Sequence, residues 1–164
     1  MVAQPVLVVR SRPRRACRNI VVATDFSNAA FGALLTAAAF FPASPLSRFH
    51  AYEHPHVAVG HDVAIARQFR AMAEEDSEAF LRRFRAGAVS VPPLQTWIEH
   101  GNPAALLEEL VHARGIDLVV LGARGRHPIA EMVIGGTASS ILRELPCDAL
   151  VVPAVPALVS ERAD

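Results

Sequence analysis

Four glycines carry the densest chemical signal in this chain. Gly122-Ala123-Arg124-Gly125 is followed nine residues later by Gly135-Gly136-Thr137. A glycine lets the backbone approach an anion, because no Cβ intervenes. Free backbone N–H groups and the positive end of a helix dipole then attract it. The chemistry on offer is phosphate binding through the main chain. A single glycine would mean no more than a turn needing positive φ, but four at this spacing point to an anion site. Arg124, Arg126 and His127 fall inside the same loop. They could grip a phosphate with paired donors, or be plain exposed loop charge.

The elements around the glycines set their place. Residues 116–121 form an apolar run that reads as a buried parallel strand. Ala138-Ser139-Ser140-Ile141-Leu142 reads as the first turns of a helix. The loop therefore joins the carboxyl end of a strand to a helix start, where α/β proteins hold phosphates. The rest of the chain alternates in the same way. Strands are predicted at 19–23, 47–53, 94–99, 117–121 and 149–153. Ser27 or Asn28 caps a helix reaching about residue 41, with Phe31, Leu34, Leu35 and Ala38 as its apolar stripe. A long helix over 62–85 places Phe69, Met72, Ala73, Phe80 and Phe84 in the core. Asn102 caps a third helix, Pro103 starts it, Leu106, Leu107, Leu110 and Val111 are its buried stripe, and Gly115 ends it. A fourth covers 135–144. This alternation predicts one α/β domain, a parallel sheet with right-handed crossovers and helices on both faces.

Several segments in order resemble one family. The pattern G-x2-G-x9-G with a small polar residue after it is similar to the signature of ATP-binding universal stress proteins. Val21-Val22-Ala23-Thr24-Asp25-Phe26-Ser27 resembles that family's first strand and turn. Gly101-Asn102-Pro103-Ala104 and the stretch from Arg143 through Pro146 and Cys147 to Val152 resemble later parts. The resemblance covers residues 19–154 and leaves 1–18 as an Arg-rich extension and 155–164 as a tail. It implies a Rossmann-like, five-stranded parallel sheet of order 3-2-1-4-5, with a crevice between the first and fourth strands. It implies ATP in that crevice, with Mg²⁺ bridging the phosphates.

The resemblance also assigns residues. Asp25 would accept hydrogen bonds from the ribose or the adenine amine; without the resemblance it could equally be a helix-start carboxylate favoured by the dipole. The backbone of Ala51 would meet the adenine edge, and Ala23 would line the base pocket. Leu121, Gly122, Arg124, Gly125, Gly135, Gly136 and Thr137 would complete the nucleotide site. One departure stands out: the family usually has Ser or Thr directly after its third glycine, and here Gly136 stands there, with Thr137 one place later. Pro128 stiffens the loop. The family often pairs through its last strand, so a homodimer through Ala149-Leu150-Val151-Val152 is expected, since that apolar edge would otherwise lie open. Residues 6–9 are the alternative cover for an edge.

Composition narrows the other classes. The 164 residues are 52% hydrophobic and carry 16 basic and 16 acidic groups, so no overall pull toward nucleic acid or anionic membrane is expected. Every basic residue is arginine, which excludes a Walker-type lysine. Five arginines fall between positions 10 and 18, without interleaved aromatics, and read as a solvated arm. Cys17 and Cys147 make no disulfide framework. No apolar run reaches membrane-span length, and the start lacks the order of a signal peptide. A cytoplasmic protein is expected. His54, His56 and His61 match no firm metal motif, and no metal site is expected. His50 reads as a core histidine. No nucleophile elbow or γ-phosphate base is placed, so the leading reading is a regulatory module. A nucleotide-free interaction protein and a slow ATPase are the alternatives.

Overall fold

The computed structural model describes residues 4–10, 17–53, 63–87, 94–123 and 136–154. Within them lie six strands: β1 (Val6–Val8), β2 (Ile20–Ala23), β3 (Leu46–Tyr52), β4 (Gln95–His100), β5 (Leu118–Ala123) and β6 (Asp148–Pro153). Four helices connect them: α1 (Asn28–Phe40), α2 (Val63–Gly87), α3 (Pro103–Arg114) and α4 (Gly136–Glu144). The sheet order is β1-β6-β5-β2-β3-β4. β2, β3, β4, β5 and β6 run parallel, with Ala23 beside Phe49 on one side and Leu121 on the other. β2 and β5 are the central strands, and their valine- and leucine-rich runs are buried on both faces, as central parallel strands require.

The expected five-stranded, all-parallel sheet is corrected at one edge. β1 pairs antiparallel with β6, Val6 opposite Val151, Leu7 opposite Leu150 and Val8 opposite Ala149. The edge expected to join two copies is thus occupied by the chain's own β1, the alternative cover read in residues 6–9. The solvated-arm reading is corrected with it for the described residues 6–10 and 18. The Arg10 N–H donates to Asp148 Oδ1 at 2.7 Å, and the Arg10 guanidinium reaches the Leu142 carbonyl. The Arg18 and Asn19 N–H groups share Asp117 Oδ2 at 2.9 and 3.0 Å. Residues 11–16 lie outside the described residues.

The core divides by sheet face. α1 and α2 cover one face, packing on Ile20, Val22, Leu118, Val120, Leu150 and Val152. α3 and α4 cover the other, packing on Val21, Phe49, Val119, Leu121 and Ala149. The α1 stripe is shifted from the expected one: Ala29, Ala30, Ala33, Leu34 and Ala37 are buried, and Leu35 is exposed. The small residues bring this helix close to the sheet, so the alanines face inward and the larger side chains flank the contact. Met72 is exposed too, because it lies off the Ala73, Ser77, Phe80 and Phe84 stripe, and α2 also outruns the sheet. Its 25 residues span about 37 Å, against roughly 20 Å for the six residues of β4. Only Ala73, Ser77, Phe80 and Phe84 are buried. No described helix is long and apolar enough to cross a membrane.

Candidate functional site

At the carboxyl ends of the parallel strands lies a cavity of about 560 Å³. It opens where β2 and β5 lie side by side and their following helices leave to opposite faces, the switch point of an open α/β sheet. Its walls come from four places. β2 and β3 supply Ala23, Phe49 and Ala51. The turn after β2 supplies Thr24 and Asp25, and β5 supplies Leu121 and Gly122. The first residues of α3 and α4 close the sides.

The turn after β2 is built from short polar bonds. Thr24 N–H donates to the Phe49 carbonyl at 2.9 Å, which ties the turn to β3. Thr24 Oγ1 accepts the Phe26 N–H at 2.9 Å, and Asp25 Oδ1 accepts the Ser27 N–H at 3.0 Å. Ser27 Oγ accepts the Ala30 N–H at 3.2 Å and caps α1. Phe26 sits at φ 62°, and no other described non-glycine residue has positive φ. A bulky side chain in this left-handed conformation is strained by roughly 1–3 kcal/mol, and surrounding contacts must hold it. Its ring packs on His50, centroids 4.2 Å apart, and on Phe80 at 5.7 Å. His50 Nδ1 lies 2.8 Å from the Thr24 carbonyl. A carbonyl only accepts, so Nδ1 carries the proton. Burial holds the imidazole below its ordinary 6.5, against the opposing pull of the Thr24 carbonyl and Asp25. His50 is therefore the support beneath the Asp25 turn, reaching it from the α1/α2 face.

Gly122 owes its place to packing. A Cβ added there would fall on the Ala29 carbonyl group and 2.7 Å from the Ala30 nitrogen. Its φ is not positive, so the turn explanation does not apply. The glycine lets the N-terminal turn of α1 press against the end of β5, and this contact fixes the cavity floor. Gly136 differs, since a Cβ there would meet nothing within 4 Å. Asn102 Oδ1 accepts the Ala104 and Ala105 N–H groups at 3.0 and 3.1 Å, and Pro103 follows it, so α3 has the expected cap, and its start lies at the cavity wall.

Seven predicted site residues line this one cavity: Ala23, Asp25, Ala51, Leu121, Gly122, Gly136 and Thr137. Arg124, Gly125 and Gly135 lie outside the described residues, as do Arg126, His127, Pro128 and the histidines at 54, 56 and 61. Sequence reasoning missed Thr24, Glu53 and Ser140 as lining residues, and His50 as the support of the turn. The strand alternation placing His50 beside Ala51 was the available signal for the last. Among the described residues no group of three His, Cys, Asp or Glu side chains could hold a metal ion.

The comparisons agree on one family. The model of the universal stress protein family matches residues 16–153. A Staphylococcus haemolyticus protein bearing the family's name is 31% identical over 88 residues, 52% of this chain and 53% of that protein. The chain thus spans about half the length of the curated relatives it matches. Among solved structures, a universal stress protein from Lactobacillus plantarum superposes with a TM-score of 0.65 and 25% identity, over 86% of this chain and all of that one. Another, a universal stress protein in complex with cAMP, has a TM-score of 0.61 and 21% identity, over 86% of this chain and 100% of that chain. The match over most of the chain, and the fold it folds into, make this protein a member of the universal stress protein family.

Proposed function

We propose that the cavity binds an adenine nucleotide, ATP with Mg²⁺, and that occupancy regulates the protein rather than feeding a reaction. The observation that carries this reading is the convergence of Asp25, the glycine-bearing end of β5 and the start of α4 on one cavity of about 560 Å³. That volume suits a ligand of nucleotide size. The start of α4 offers N–H groups and a positive dipole end to phosphate, the small side chains of Ala23 and Ala51 leave room for a base, and Asp25 on the cavity wall would accept hydrogen bonds from a ribose. Mg²⁺ would ride on the phosphate oxygens and supply charge neutralisation. The cAMP complex of a structurally similar protein supports the nucleotide class. Association of copies belongs to the same proposal only where the β6 edge is free.

Calorimetric titration with Mg-ATP, beside a Gly125→Val control, tests the reading. Saturable binding lost in the control is the expected result. Absence of binding to the unaltered chain overturns it and favours the nucleotide-free alternative. Gly136→Ser gives a finer test. The site has room for the side chain, and a restored hydroxyl–phosphate bond contributes on the order of 1 kcal/mol. Affinity should rise about fivefold.

A further inference from the structure

We propose that residues 6–10 are a built-in edge strand that keeps two copies of this chain from joining through β6. Without β1, the outer edge of β6 would present an unpaired main chain on a strand whose residues Ala149, Leu150, Val151 and Val152 are all buried. Such an edge is a template for another strand. The partner that fits it best is a second β6. Two copies related by a twofold axis pair antiparallel and residue for residue, which makes the contact self-complementary. β1 already pairs with β6 antiparallel. Its Val-Leu-Val run also has the same character as Leu150-Val151-Val152. The arm thus supplies in one chain what a second copy would supply in a pair.

The Arg10 end of the contact is fastened, and the new edge is blunted. The Arg10 N–H and guanidinium bind Asp148 and the end of α4. Val8 packs into the core cluster under α3 and α4, while Leu7 points outward and is 54% exposed. β1 itself is only three residues long, with Pro5 before it and Arg10 after it. Short length, proline and charge are the devices that stop an edge from recruiting a further strand. The chain has moved its open edge from a long apolar strand to a short guarded one.

The contrast between Val8 and Leu7 gives the test. Sedimentation velocity over a wide concentration range would compare the full chain, Val8→Asp, Leu7→Asp and a chain lacking residues 1–9. The full chain and Leu7→Asp should sediment as monomers. Val8→Asp places a charge at the covered position opposite Ala149 and should free β6, giving a dimer at concentrations at least tenfold lower. The shortened chain should do the same; if it does not fold by circular dichroism, Val8→Asp decides. A full chain that dimerises as tightly as Val8→Asp overturns the proposal. So does a folded Val8→Asp chain that stays monomeric throughout.

Discussion

The two faces of the sheet divide the work unequally, and β3 shows the division residue by residue. Phe49 and Ala51 point to the α3/α4 face and line the cavity. Arg48 and His50 point to the α1/α2 face and never reach it. The cavity face is smooth, with alanines where a flat ring could lie. The opposite face carries buried polar groups that hold a strained turn and brace α2. The lesson is that the parts which shape the site lie behind it, and the parts which would touch a ligand are mostly small.

The largest test of this division strikes where the faces meet. Gly122→Val drives a side chain into the backbone of Ala29 and Ala30. It should cost roughly 3 kcal/mol by overpacking, seen as a lower urea midpoint, and it should weaken nucleotide binding as α1 moves. An unchanged midpoint would mean that the close contact between α1 and β5 is not what fixes the floor.

Arg48 is the next. It is 1% exposed, its Nη2 donates to Ser77 Oγ at 2.9 Å and Thr96 Oγ1 at 3.0 Å, and its Nε has no partner. No carboxylate among the described residues pairs with it. Burial, with Arg85 adding to it, draws the guanidinium down to about 10. Replacing a buried charge by an apolar side chain of similar volume is often stabilising. Arg48→Met should therefore leave stability unchanged or raise it by about 1 kcal/mol. A clear loss in thermal unfolding would show that polar bracing of α2 outweighs the desolvation of the charge.

His50 offers a pH test of smaller size. Its folded value lies below the ordinary 6.5, so the unfolded chain binds the proton more readily. Its contribution to stability is full above pH 6.5 and is lost as pH falls from there through the lower folded value. The melting temperature should decline across that window, and His50→Gln should flatten the decline. Equal slopes in the two proteins would remove His50 from the account.

The smallest effect compares the faces through their thiols. Cys17 packs on the α1/α2 side and Cys147 on the α3/α4 side. Burial raises both, with Asp117 and Asp148 adding to it, and Cys147 is pushed up to about 11. The thiolate is the reactive form, so Cys147 should label more slowly than Cys17 with a thiol reagent near neutral pH. The reverse order would place Cys147 in a more open setting.

Much of this architecture can be read from residue patterns. The run before the glycine loop read as a buried strand, the family resemblance implied the places of β2 and β5 at the sheet's centre, and Asn102, Pro103 and Gly115 marked both ends of α3. Seven residues brought to one cavity were legible chiefly through the family resemblance, with the glycine loop alone marked by its own spacing at a strand end. The failures are long-range. Nothing local in Val6-Leu7-Val8 says that its partner is Ala149–Val151, since a three-residue apolar run pairs wherever an edge is offered. The α1 stripe was misread because leucine and phenylalanine outweigh alanine on any scale, whereas here closeness to Gly122 decides which side faces inward. His50 was read correctly as a satisfied core histidine, but its partner, the carbonyl of Thr24, depends on tertiary placement and could not be named.

The placement of β1 also orders events in time. Arg10 and Asp148 are 138 residues apart in sequence, yet their hydrogen bond ties one end of the sheet together. β1 has nothing to pair with until β6 is in place, so a segment made earlier must wait for one made well over a hundred residues later. Loop closure over so long a separation is slow relative to local structure. If the arm docks last, each folding chain passes through a stage in which β6 is formed and bare. In pulse-labelled hydrogen exchange the Arg10 amide should gain protection after the amides between β5 and β6. Protection at the same rate would mean that the arm docks as part of the nucleus. During that waiting period, crowding and synthesis rate, rather than final stability, decide how often two unfinished chains meet edge to edge.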